Sequence, residues 1–260
     1  IKSFDGPLKT FSFTPVLFPV YDHVNSDFGN NNHLNVAGRF YFLLYDTDID
    51  LMFLAGGSKP DRYGADFSRN ITTNFEVHGE LAYVRNVVKN VLDATGNRHQ
   101  AEGEAISYLI GLRHLTSFDL TTIIEYYHNG AGFSEDEMKK YFGLINRGYD
   151  AYRSTGNTAL LGNALQMAEG GYGRANAMTD YLYVRLSQKE PFNILYFTPA
   201  ITGMMNLSDG SFSLTPELLY TGFTNWEFRL RTGVIVGARN TEYGDKQNDY
   251  RIELRVGYYF

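Results

Sequence analysis

Arginine and glutamate recur at every second position near the end of this chain. In the run NWEFRLRTGVIVGAR, Glu227, Arg229, Arg231 and Arg239 fall on one parity, and in DYRIELRVGYYF so do Arg251, Glu253 and Arg255. Side chains of an extended strand alternate between its two faces, so within each run these residues share a face. A row of guanidinium groups facing water attracts anions and sets charge selectivity. The same arginines set beside Glu227, Glu253 and, upstream, Glu217 would instead pair across neighbouring strands and close the space between them. The residues alone leave both outcomes open.

The earlier runs carry mostly acids on the equivalent parity. Asp50, Asp66, Glu76, Glu80, Asp119 and Glu125 are the anions, and Arg39, Arg113 and Arg185 are cations of those segments. His78 lies between Glu76 and Glu80 and has the chemistry of a metal ligand or a proton relay, although a solvated histidine is the plainer reading. A hydrolytic site would need a histidine and a serine held together by an orienting partner. None of His23, His33, His78, His99, His114 and His128 stands two residues before a serine on a strand. There is no His-x-x-x-His, no phosphate-binding glycine loop and no dinucleotide fingerprint. We expect no catalytic residues, no resident metal and no cofactor.

The elements that position these charges are strands. Opposite the charged parity, Trp226, Phe228, Leu230, Val234 and Val236 form an apolar face, as do Tyr250, Ile252, Leu254, Val256 and Tyr258. The same grammar runs through the chain: Leu34, Val36, Phe40 and Phe42; Ile49, Leu51 and Phe53; Tyr63, Ala65 and Phe67; Phe75, Val77, Leu81 and Tyr83; Ile106, Tyr108 and Ile110; Leu120, Thr122, Ile124 and Tyr126; Leu182, Val184 and Leu186. An opening strand over 9–21 carries Pro15 and Pro19, which suits an edge or a seam. The facing of 192–205 is not assignable. The pattern predicts about 12 strands. Tight turns fall near Thr47, Ile71, Thr116, Lys189 and Thr224, and longer connections near Asn25, Lys59, Gly96, Tyr149, Asp209 and Gly244. The connection 86–103 reads as long and polar. The longest insertion, 129–174, contains Ser134 and Glu137 at capping-box spacing, which predicts a short helix, and 158–169 a second. A loop this long is expected to be functional, as a gate or a cap.

Composition narrows the class. The chain of 260 residues has 23 Lys and Arg against 29 Asp and Glu, so no basic surface for nucleic acid is expected. Cysteine is absent, which removes disulfides and thiolate metal sites. No run of 18 apolar residues exists, which excludes a transmembrane helix but not a membrane β-barrel. The aromatic content, 20 Tyr and 19 Phe, suits interfacial girdles, with Trp226, Tyr258 and Phe260 at the turn end and Tyr63, Tyr126 and Tyr250 near the loop end. The start at Ile1 is read as a mature chain with its signal removed, or as a fragment.

The sorting of short and long connections and the terminal run DYRIELRVGYYF resemble those of Gram-negative outer-membrane β-barrel proteins. The stretches GADFSRNITTNFEVHGELAY and IEYYHNGAGF are similar to those of alginate-export-like channel proteins. The resemblance implies an all-β, transmembrane, antiparallel up-and-down barrel in the bacterial outer membrane, formed by 1–260 as one domain. Turns would be periplasmic and long loops extracellular. Expected partners are outer-membrane lipid and lipopolysaccharide, the barrel-assembly machinery reading the last strand, a small solute, and a homo-oligomer or protein complex. The expected function is a passive channel for small polar or charged solutes, with the acidic wall opposite the arginine ladder. The alternative is a non-conducting barrel that binds partners, with a barrel hydrolase third.

Overall fold

The computed structural model describes residues 2–93, 95–246 and 248–260; Ile1 lies outside them. The strands are β1 (Lys2–Ser3), β2 (Leu8–Val20), β3 (His33–Leu44), β4 (Thr47–Ala55), β5 (Arg62–Thr72), β6 (Phe75–Leu92), β7 (Arg98–Leu115), β8 (Leu120–His128), β9 (Asp180–Gln188), β10 (Phe197–Asn206), β11 (Phe212–Tyr220), β12 (Trp226–Val236) and β13 (Tyr250–Tyr258). Between β8 and β9 lie α1 (Glu135–Thr155) and α2 (Ala159–Met167). The strands form one antiparallel up-and-down sheet of 13 strands, each bonded to its neighbours in sequence. The strand beyond the expected twelve is β1, two residues long, which pairs Lys2 with Phe11 and Ser3 with Thr10. The strand order ends at β13, and no pairing joins it to β1 or β2 among the described residues.

The link read as a tight turn near Lys189 runs over 189–196 and holds a short helical turn at Pro191–Asn193, and two further features differ from the sequence reading. The connection read as polar loop over 86–103 is mostly strand, because β6 and β7 each run 18 residues. Their turn is tightened by Asp93, whose carboxylate accepts from Thr95 N at 2.8 Å, Thr95 Oγ1 at 2.7 Å and Asn97 N at 2.9 Å. These donors hold the Asp93 carboxyl below the usual carboxylate range. A side chain closing its own turn lets polar residues continue a hairpin that hydropathy alone would end. Second, the helix expected to be short is 21 residues long. Its capping box is the expected one: Glu137 N donates to Ser134 Oγ at 3.3 Å and Ser134 N donates to Glu137 Oε2 at 2.8 Å. No helix among the described residues is long and apolar enough to cross a membrane.

The chain divides into two compact units. The first comprises Ile1–Lys89, Gln100–Gly111 and His128–Ala131. Its register confirms the alternation: Phe40 faces Leu51, Leu51 faces Ala65, and Ala65 faces Leu81, all on one face. Tyr45 and Asp46, at φ 50° and 57°, form the two-residue turn between β3 and β4, the mirror-image turn whose twist fits a hairpin. At the other end of β3, buried Asn35 donates to Ser58 Oγ at 2.8 Å and so pins the 56–61 loop.

The second unit comprises Asn90–His99, Leu112–Tyr127 and Gly132–Phe260. It holds most of the buried apolar side chains, and more of them belong to the insertion than to the strands. Met138, Tyr141, Phe142, Leu144, Ala164, Met167 and Tyr172 are buried, as are Val91 and Leu92 at the end of β6. Tyr172 stacks on Phe133 at 3.7 Å and on Tyr141 at 4.7 Å between ring centroids. At the opposite end of the strands, β10 resolves the segment whose facing was unassigned, with Pro199, Ile201 and Met205 opposite Leu218, Pro216 and Phe212. There Tyr220, Phe223, Phe228, Trp226, Tyr258 and Phe260 form a continuous chain of ring contacts, each between 4.9 and 6.4 Å.

Candidate functional site

In the first unit, antiparallel register converts sequence parity into a polar wall. Tyr41 lies opposite Asp50, Asp50 opposite Asp66, and Asp66 opposite Glu80, a row of three carboxylates across β4, β5 and β6. The next row holds Asp48, Ser68 and His78. Like charges directly opposite one another are destabilising unless compensated. Arg39 supplies the compensation, gripping Asp50 with both arms of its guanidinium: Nε to Oδ1 at 2.6 Å and Nη2 to Oδ2 at 2.7 Å. Asp50 is only 7% exposed, so this fork is the principal support of a nearly buried anion. Tyr41 donates its hydroxyl to Asp48 at 2.5 Å. Glu76 accepts from Ser68 Oγ at 3.2 Å and lies 3.6 Å from His78 Nδ1. His78 is thus a member of the acidic wall. Among the described residues, no three His, Asp or Glu side chains gather as metal ligands.

In the second unit, the charged face of β9–β13 is built from pairs. Glu217, 8% exposed, lies directly opposite Arg231 and bonds it through Oε2, with Arg231 Nε at 2.9 Å. Arg185 approaches the other oxygen of Glu217 at 3.7 Å and donates to Thr202 Oγ1 at 2.8 Å. Arg229 pairs with Glu227 at 3.2 Å, and Arg251 with Glu253 at 2.8 Å. The arginine ladder is therefore neutralised rung by rung by acids of its own or the adjacent strand. Arg255 is the exception: it lies opposite Arg229 and has no carboxylate partner among the described residues.

Two expected members of the walls stand elsewhere. Asp119 is in the turn before β8, at φ 60°, where its carbonyl accepts from Lys189 N at 3.1 Å. Arg239 lies past the end of β12, in the loop to β13, and donates to Asn146 of α1 at 3.0 Å. Alternation was extended beyond the strand by one residue at Asp119 and by three at Arg239. Arg113, exposed on β7, and Glu125, half-buried on β8, stay on strands.

The sequence also concealed a buried cluster in the second unit. Glu242, 3% exposed in the β12–β13 loop, accepts from Ala177 N at 2.8 Å, Tyr181 Oη at 2.7 Å and Asn206 Nδ2 at 2.7 Å. The Tyr181 hydroxyl in turn accepts from Met178 N at 2.6 Å. Next to it, Tyr243 donates its amide to Ser211 Oγ at 3.2 Å and its hydroxyl to Asn176 at 2.9 Å. Burial raises the Tyr243 phenol above its ordinary value. A loop acid has no strand parity, so nothing in spacing marks Glu242 as buried.

No protein-family model matches the chain, and no curated protein matches it in sequence.

Proposed function

We propose that this protein is an outer-membrane β-barrel whose charged face lines a water-filled passage for small polar or charged solutes. The observation that supports it is an inversion of the usual burial pattern. Leu34, Leu51, Leu81, Ile106 and Ile110 in the first unit, and Leu186, Ile201, Leu218, Leu230 and Ile252 in the second, are all exposed on the apolar face. Opposite them, Asp50 and Glu217 are nearly buried on the charged one. Contiguous exposed apolar surface is rare in water-soluble monomers and is what a lipid-facing strand needs. The shortest turns, 45–46 and 73–74, and the longest connections, 21–32, 129–179 and 237–249, fall on alternate sides of the strand order and favour the same reading, and the ring cluster around Trp226 and Tyr258 is chemistry suited to a membrane interface. Because hydrocarbon tolerates no unpaired backbone, the reading requires both ends of the strand order to be satisfied in the membrane. The insertion 129–174, with its own apolar core, is the element we assign as gate or cap.

A second reading, a non-conducting barrel that binds partners, is favoured by one observation: the pairs Arg231–Glu217, Arg229–Glu227 and Arg251–Glu253, which could knit a closed interior. Single-channel recording in planar bilayers separates the two. The channel reading expects discrete conductance steps. Silence from the intact chain, and equally from a variant lacking 129–174, would sink it.

A further inference from the structure

At the long-loop end of β11, β12 and β13 in the second unit, Tyr243, Lys246 and Asn248 border an open hollow of about 370 Å³ whose floor also includes Val234, Ile235 and Tyr250. Ser213 and Thr215 line it from β11, Gly233 from β12 and Arg251 from β13, while the loop contributes Tyr243 and Lys246. Two cations and several hydroxyls meet there, and no Asp or Glu is among the lining residues. Arg251 is paired with Glu253, as the other rungs are with their acids, but here a second cation, Lys246, stands beside the pair. We infer that this hollow is a binding site for a small oxyanion, a carboxylate or a phosphate whose hydroxyl groups meet Ser213 and Thr215.

The cations keep donors to spare. Arg251 engages Glu253 through Nη2 at 2.8 Å, one of its three guanidinium nitrogens. Lys246 gives one ammonium hydrogen to the Arg174 carbonyl at 3.5 Å. Glu242 and Tyr243 are held by the buried bonds described above, so the Tyr243 wall of the hollow is in place before any ligand arrives, and preorganisation lowers the cost of binding. Gly233 makes the room. A glycine inside a strand often marks a close approach by a ligand, and a Cβ at Gly233 would meet only Arg251 Cβ, at 3.9 Å. A larger residue there fills the hollow without displacing backbone. The volume lies at the lower end of ligand pockets, so the occupant is of monosaccharide size or smaller.

The site rests on the assignment of this face as solvent-lined, not on conduction. A protein that binds the anion and passes no current keeps the site and loses the channel. The test is titration calorimetry on the full chain in detergent micelles, with inorganic phosphate, glycerate and the neutral polyol erythritol as probes. Binding of phosphate alone identifies a phosphate site, binding of glycerate alone a carboxylate site, and binding of both a general oxyanion site. Lys246→Gln and Arg251→Gln should each weaken that binding about tenfold or more, the loss of one charge-assisted hydrogen bond. Gly233→Val should abolish it at an unchanged urea midpoint. Erythritol binding as tightly as glycerate, no binding of either anion by the folded protein, or indifference to both charge substitutions would overturn the inference.

Discussion

The carboxylate of Glu242 receives the hydroxyl of Tyr181 at 2.7 Å in a part of the protein where both residues are buried. Among the described residues, no lysine or arginine bonds this acid. Hydrogen-bond donors alone compensate its burial, and two other groups, Ala177 N and Asn206 Nδ2, share the task. Glu242→Ala leaves those donors buried and unsatisfied, at about 1–3 kcal/mol each. The loss should appear as local opening, because Glu242 belongs to a loop and not to the strand ladder. Limited trypsin digestion is expected to cut at Arg239 and Lys246 in the variant while the strands stay protected. Tyr181→Phe removes one donor and should cost about 1 kcal/mol. A variant as resistant as the parent would show that the loop is held by something else.

Arg39 and Asp50 form a two-armed contact that a single hydrogen bond cannot replace. Arg39→Gln leaves Asp50 nearly buried and directly opposite Asp66, with no guanidinium to offset either charge. A lower urea midpoint than the parent's is expected for this variant, because the nearly buried Asp50 loses its main donor. The double variant Arg39→Gln/Asp50→Asn removes the stranded anion together with its partner and should recover much of that loss. Strict additivity of the two single changes would mean that the fork contributes nothing as a pair.

What the sequence made legible was whatever repeats with period two. Strand register at Phe40, Leu51, Ala65 and Leu81 follows from alternation alone, because a slip of one residue would turn every charge to the apolar face. Alternation failed where it was carried past a strand end, at Asp119 and Arg239, and where a turn was closed by a side chain, at Asp93. It also placed the arginines on one face without revealing their partners. Whether Arg231 faces open space or Glu217 depends on which residues of two strands lie opposite, and that is a property of turn geometry. Glu242 and Tyr243 were invisible because a loop residue has no face until the loop is folded.

Tyr172 is the keystone of the insertion, buried between Phe133 and Tyr141. Tyr172→Ala removes both stacking contacts and leaves a cavity, at about 3 kcal/mol. Hydrogen exchange should quicken along α1 while the amides of β10 and β11 remain slow. Ser134→Ala, which breaks only the capping box, should cost about 1 kcal/mol and affect the first turn of α1 most. If Tyr172→Ala left α1 as protected as before, the helix would be held by contacts other than this ring stack.

Arg255 and Arg231 separate charge that acts at a distance from charge that is cancelled locally. Among the described residues Arg255 has no carboxylate beside it, whereas Arg231 and Glu217 together carry no net charge. In a conducting protein, Arg255→Ser should therefore shift the reversal potential in a salt gradient toward cations. Deleting the pair, as Arg231→Ser/Glu217→Ser, should leave it near the parent value. Arg231→Ser alone releases the Glu217 carboxylate and should shift selectivity in the same direction as Arg255→Ser. Screening limits these effects to about 10 Å at 0.1 M salt, so the shifts should shrink as salt rises. A pair deletion that moved the potential as far as Arg255→Ser would mean that the arginines act through the shape of the passage and not through its charge.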